Sequence, residues 1–380
     1  MKIENLNFSI CNAAVDREDP VFLTRQLITC IGNKRALLAP IGAAVARVRS
    51  RLGGRKLRML DAFAGSGVVS RLFKQHAESL VSNDLEDYAA AAARCHLRNR
   101  RDVDENHLAN LTRDLNARVA QTALPTGFIE ELYAPRDEER IAPGERAFYT
   151  KGNARRLDNY RRLLDALTPD DRDMLMGPLL SEASIHANTA GVFKGFYKDR
   201  RTGVGSFGGS GGDALSRITG DIVLTPPVLS RFECEIDVRQ SDANELVRQG
   251  GAYDLAYFDP PYNQHPYGSN YFMLNLLVNY RRPAQISRVS GIPTDWRRSA
   301  YNRRSEALQR LQALVRDTNA SFLLVSFSNE GFIAPAAMLD LLRGAGRVEV
   351  METRYNAFRG SRNLRGRSTH VTEQLFLVER

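Results

Sequence analysis

The apolar run "AYDLAYF" ends in Asp259-Pro260-Pro261-Tyr262, and that ending poses a chemical question. The run reads as a buried strand, so Asp259 falls at its carboxyl end. Two consecutive prolines remove two amide donors and stiffen the turn. The Asp259 carboxylate and the Pro260 carbonyl are then left as acceptors pointing out of the strand end. Two acceptors side by side can take both hydrogens of one amino group, and Tyr262 offers a flat face for stacking. Together they describe a pocket for an aromatic amine. The plainer reading is a proline-rich turn with a capping acid. It leaves unexplained why the loop that follows, "NQHPYGSNYF", is dense in aromatics.

A second group of residues lies near the N-terminus. "DAFAGSG", Asp61 to Gly67, stands between a strand and a helix, where glycines let the backbone approach a ligand and the helix start favours its anionic part. Its spacing is not a dinucleotide fingerprint, because Ser70 occupies the place of the third glycine. By itself it is equally a tight turn with no ligand. The next strand closes in "VSNDLEDY". Asp84 there can accept hydrogen bonds from a ribose diol, with Glu86 and Asp87 as lesser candidates. An acidic helix start would explain the same residues, and one turn can serve both ends.

These residues need elements to hold them. Strand, turn and helix occur twice between residues 56 and 100, which implies parallel βαβ units. Residues 106–180 then read as mostly helical, followed by a stretch with six glycines between Gly203 and Gly212. Strand patterns resume with "YDLAYFDPPY" and "ASFLLVSFS", and "RVEVMETRYNAF" and "TEQLFLVER" read as a terminal antiparallel pair. The simplest organisation is one α/β domain, residues 1–104 and 236–380, interrupted by an insertion over residues 105–235.

Composition limits the partners. The 380 residues carry a net charge of +9, and 46 of the 53 basic residues are arginines, which suit planar recognition of phosphate and guanine. Eight arginines face two acids between Arg281 and Arg310, and five face none between Arg354 and Arg367. Any one run can be an ordinary solvated face; beside the pocket residues they favour phosphate. Four dispersed cysteines and six histidines without ligand spacing predict neither a disulfide framework nor a metal site. With no signal-peptide pattern and no apolar run of membrane-spanning length, a cytoplasmic protein is expected.

The motif order resembles the S-adenosylmethionine-dependent adenine-N6 DNA methyltransferases, in particular the alpha-type group related to the GATC methylases. "TCIGNKRALLAPI" is similar to the group's N-terminal motif and "DAFAGSG" to its methionine-contacting motif. "SND" resembles the ribose-binding acid, "RQSDANEL" the adenine-contacting acid, and "DPPY" the catalytic motif. The resemblance implies a Rossmann-like methyltransferase sheet, mostly parallel with an antiparallel C-terminal strand, carrying a large, mainly helical target-recognition insertion. It assigns S-adenosylmethionine to Gly32, Lys34, Asp61, Phe63, Gly65, Gly67, Asp84, Asp242 and Ala243. Catalysis goes to Asp259, Pro260, Pro261 and Tyr262, and the substrate to Tyr262, Tyr271 and Arg359. Phe327 stands where a tyrosine is expected. The partner implied is double-stranded DNA, in a restriction–modification setting with a cognate endonuclease or as an orphan enzyme; a monomer is compatible.

Other readings are weighed on the same residues. No cysteine follows a proline, which disfavours cytosine-C5 chemistry. Asp259 in place of the usual serine argues against cytosine-N4. An RNA adenine methyltransferase, or a DNA-binding protein with a decayed pocket, would keep the fold, and a nicotinamide dehydrogenase fits least. His265 reads as a loop residue or a contact to the target strand, and Trp296 as packing beneath the arginine-rich loop.

Overall fold

The computed structural model of the protein describes residues 17–121, 124–209, 212–356 and 370–380. Its centre is a sheet of seven strands: β1 (Leu57–Asp61), β2 (Ala77–Asp84), β3 (Glu235–Gln240), β4 (Tyr253–Phe258), β5 (Ala320–Ser328), β6 (Arg347–Asn356) and β7 (His370–Glu379). They lie in the order β3-β2-β1-β4-β5-β7-β6. The first five pair in parallel, and β7 runs antiparallel between β5 and β6. This is the mostly parallel sheet with an antiparallel C-terminal strand expected from the sequence. Arg359 and the basic loop around it lie outside the described residues.

Why the strands are apolar on both faces follows from what covers them. With a side-chain period of two, Leu255 and Tyr257 of β4 face one side and Ala256 and Phe258 the other. β5 and β7 alternate likewise: Phe322, Leu324, Leu375 and Leu377 share the first face, and Leu323, Val325, Phe376 and Val378 the second. Helices Leu38–Arg51 and Val68–Lys74 cover the first face. Helices Ala243–Arg248, Arg304–Asp317 and Pro335–Arg343 cover the second. Each fully buried leucine or phenylalanine contributes about 1.5–3 kcal/mol of transfer free energy, so both layers are anchored.

The region inserted between β2 and β3 carries helices Glu105–Val119, Lys151–Asp165 and Pro169–Ile185. Its apolar side chains form one core with Tyr88, Ala89, Ala91 and Ala92 of helix Asp87–His96 and with helix Phe272–Asn279. The alanine-rich helix is buried on nearly every side, because it lies between sheet and helical block. The crossing is close at Gly177, where a Cβ would stand 2.6 Å from the Cys95 sulfur. The sheet order reverses between β1 and β4. In a sheet of this kind the crevice outside the carboxyl ends of those strands receives ligands.

Candidate active site

The turn after β1 is shaped by Gly65 and Gly67, with φ of 53° and 77°, conformations that a β-carbon disfavours. The end of β2 secures it. Asp84 accepts the Gly65 amide at 2.8 Å on Oδ2 and the Glu86 amide at 2.9 Å on Oδ1. Asn83 donates to the carbonyls of Ala62 and Ser241, both at 3.1 Å, tying the turns after β1 and β3 together. Asp242 caps helix Ala243–Arg248 by accepting the Asn244 amide at 2.9 Å. Burial holds the Asp84 pKa above the usual carboxylate range despite its two amide donors.

A cavity opens over these turns. Gly32, Lys34, Phe63, Gly65, Asp84, Asp242, Ala243, Asp259 and Pro261 all border it. Gly67, Pro260 and Asp61 do not, nor do Tyr262 and Tyr271. Gly67 acts through its backbone conformation at the helix start, and Pro260 is buried in the turn. Asp61 lies beneath the wall, fully buried. Its Oδ2 accepts from Ser70 Oγ at 2.6 Å, while Oδ1 has no hydrogen-bond partner among the described residues. Burial pushes its carboxyl up to about 7. The sequence reading missed Tyr257, Arg297 and Tyr301, which also border the cavity. Tyr301 sets its ring edge-on to Phe63 at 5.3 Å and donates to Asn244 at 2.9 Å. No local pattern marks these residues: strand alternation hides Tyr257 among core residues, and the other two sit in an arginine-rich stretch.

Asp259 stands at the floor of the cavity, 18% exposed, with Oδ1 3.0 Å from Lys34 Nζ. Lys34 is 4% exposed and its Nζ is also 3.0 Å from the Glu373 carboxylate. Burial would discharge the lysine, but the two carboxylates outweigh it and hold its pKa well above the ordinary value. Burial raises Asp259 to about 6, against the opposing pull of Lys34. The ammonium expected to face a cofactor is thus held by acids on two strands.

Tyr262 borders a second cavity with Ile31, Val192, Lys194, Tyr267 and Asn270. Its ring meets Phe327 edge-on at 6.2 Å, so the phenylalanine standing in a tyrosine's place braces Tyr262. Tyr271 corrects the sequence reading. It is fully buried, and its hydroxyl accepts the Ile31 amide at 2.6 Å, so it holds the N-terminal loop and presents no face to a substrate. Tyr267, the other tyrosine of that loop, borders both cavities and donates to the Ile31 carbonyl at 3.0 Å. Trp296 packs against Gly268, and Arg298 lies over its ring at 4.6 Å.

The first cavity suits a ligand that is part cation and part planar ring. The acids Asp84, Glu86 and Asp242 border it, Phe63, Val68, Val69 and Ala243 supply apolar wall, and glycine backbone lines the turn. A Cβ at Gly32 would come within 3.0 Å of the Tyr267 hydroxyl, at a φ of 77°. S-adenosylmethionine, with its cationic sulfonium and ammonium, diol and adenine, fits this donor set. The family model of D12 class N6 adenine-specific DNA methyltransferases matches residues 31–287, well over half of the chain. The chain belongs to that family. S-adenosylmethionine is accordingly its methyl donor, and DNA its substrate.

Named relatives agree with this methyltransferase. The type II methyltransferase M.CviAII of Paramecium bursaria Chlorella virus 1 is 27% identical over 329 residues, covering 84% of this chain and 90% of its own. M.NlaIII of Neisseria lactamica is 26% identical over 336 residues, covering 83% and 90%. The modification methylase StsI of Streptococcus sanguinis is 26% identical across 92% of this chain but 51% of its own length. Among the described residues, no helix is long and apolar enough to cross a membrane, and no cluster of histidine, cysteine or acid could hold a metal.

Proposed function

We propose that this adenine-N6 DNA methyltransferase binds its cofactor in the first cavity and the target adenine, flipped from the duplex, in the second. One observation carries the reading. Asp259-Pro-Pro-Tyr262 spans the wall between the two, with Asp259 and Pro261 on one side and Tyr262 on the other. An amino nitrogen is inaccessible in a base stack, so the base must leave it. When bound, S-adenosylmethionine supplies an electrophilic methyl group. Asp259 Oδ2 and the Pro260 carbonyl accept the amine hydrogens, which draws the nitrogen lone pair out of conjugation with the ring. Tyr262 stacks on the base and Phe327 keeps the ring in place. Fixed acceptors at a developing positive charge, with reactants held in line, provide most of the rate acceleration.

Asp84 serves the ribose diol and Asp242 the cofactor's adenine, while Asp61, buried behind the wall, braces the glycine turn through Ser70. The inserted residues 105–235 serve target recognition. Val192 and Lys194 come from that region and border the second cavity, so recognition and base pocket adjoin. Several arginines of the 281–310 stretch are paired, Arg282 with Glu131 and Arg303 with Glu306. Exposed pairs of this kind are weak and exchange readily for phosphate. By its similarity to type II methyltransferases and modification methylases, the enzyme serves a restriction–modification system, alongside a cognate endonuclease.

Asp259→Ala tests the catalytic assignment. Transfer of labelled methyl to DNA should fall by at least about a hundredfold, with DNA retention on a filter unchanged. Near-normal transfer would remove Asp259 from its role.

A further inference from the structure

Strand alternation puts an unusual set of polar residues on one face of the sheet. Leu255 and Tyr257 of β4, Phe322 and Leu324 of β5, and Leu375 and Leu377 of β7 pack into a single apolar core. Continued by the same period of two, that face carries Asp259 just beyond β4, Ser326 on β5 and Glu373 on β7. Antiparallel pairing of β5 with β7 sets Ser328 opposite Glu373 and Ser326 opposite Leu375, so Glu373 lies near the carboxyl ends of the parallel strands. Lys34 reaches the same spot from the N-terminal segment, next to Leu37, which packs into that core.

The result is a buried chain. Ser326 Oγ donates to Glu373 Oε1 at 2.7 Å, Lys34 Nζ lies 3.0 Å from that oxygen, and Lys34 Nζ lies 3.0 Å from Asp259 Oδ1. Ser326, Glu373 and Lys34 are 0%, 1% and 4% exposed. Two buried carboxylates around one buried ammonium do not improve folding over an apolar alternative. The arrangement does fix orientation: Lys34 holds Oδ1 of Asp259, which keeps Oδ2 out of that ion pair.

We infer that Glu373 is a positioning residue for the methyl-transfer step, anchoring Lys34 so that Lys34 fixes the rotamer and charge of Asp259. This rests on the reading of Asp259 as the acceptor of the target amine. Glu373 touches neither cavity wall, and it does its work through Lys34. The second carboxylate also keeps the trio at one net negative charge. Were Glu373 neutral, the Lys34–Asp259 pair would be neutral as a whole, and Asp259 would be a weaker acceptor. The other titratable groups that act on Asp259 or feel its charge are Cys30, Tyr257, Tyr262, Tyr267 and Asp61, alongside Lys34 and Glu373.

Glu373→Gln, Glu373→Asp and Asp259→Asn are compared with the wild type in steady-state transfer to plasmid DNA across pH, with thermal melting as the folding control. Glu373→Gln should lower kcat about tenfold to a hundredfold while the KM for DNA and for cofactor stays within about threefold. Its acidic limb should move to lower pH, because the carboxylate that raises the Asp259 pKa is gone. Glu373→Asp keeps the charge and should leave that limb in place. Equal kcat and an unmoved limb in Glu373→Gln would overturn the inference. So would equal losses and equally unmoved limbs in Gln and Asp variants, which is the signature of a structural role alone. If Glu373→Gln fails to fold, Ser326→Ala replaces it, with a smaller fall in kcat and unchanged KM expected, and no fall overturning the inference. Full activity in Asp259→Asn would instead defeat the underlying reading of Asp259, so the two failures are distinguishable.

Discussion

Asp61 lies fully buried beneath the cavity, its carboxylate accepting from Ser70 of the Val68–Lys74 helix. The "DAFAGSG" pattern located it, but its burial beneath the cavity and its bond to Ser70 depend on how β1 sits against the Val68–Lys74 helix. That burial has a measurable consequence. The folded-state pKa is about 7 against an ordinary 3.8, so the folded protein holds this proton more tightly than the unfolded chain. The contribution to stability is complete below the ordinary value and is lost as pH rises through about 7. Asp61→Asn has no proton to lose there. It should flatten the fall of Tm between about pH 4 and about pH 8 in ligand-free protein; an unchanged slope would show that another group carries it. Tyr271 shows the opposite kind of error. Its type and its place in an aromatic loop suggested a substrate contact, and only tertiary packing against Tyr88 and the Ile31 amide reveals it as a brace.

Elements were more legible than individual contacts. Apolar runs and the glycine turn gave β1, β2, β4 and β5, and alternation gave the antiparallel β6–β7 pair; burial on both faces leaves a continuous apolar run in β4 and β5, whereas the more exposed β3 carries none. What stayed hidden was long-range joining. Arg146 donates to the carbonyls of Leu132, Ser287, Arg288 and Val289, and nothing near Arg146 in sequence announces that clamp. The packing of helix Asp87–His96 on helix Pro169–Ile185 is of the same kind, set by a glycine far from its partner cysteine. Gly177→Ala would place a methyl 2.6 Å from the Cys95 sulfur and 2.8 Å from the His96 ring. Overpacking of this sort costs about 1–3 kcal/mol. Urea unfolding should show a lower midpoint with an unchanged slope; an unchanged midpoint would mean the two helices separate without penalty.

At the scale of the whole molecule, four strand ends and an N-terminal loop converge on one crevice, and the inserted helices share a core with the helix beneath it. The two cavities and the helices between β2 and β3 are therefore parts of one packed body, which is why Val192 and Lys194 reach the second cavity. Four of the motifs close parallel strands at the same edge of the sheet, and the N-terminal one meets them from a loop and a helix start. The motif order gave no account of Glu373, because a single acid in a terminal antiparallel strand has no pattern of its own. The central claim, site-specific transfer to the adenine amine by way of Asp259, has one direct measurement. The protein and its Asp259→Ala variant are each expressed in a host without adenine methylation, and modified bases are mapped across the genome. N6-methyladenine is expected at one short recurring sequence with the wild type and none with the variant. Methylcytosine, methyl groups confined to RNA, or an undiminished map from the variant would contradict the claim.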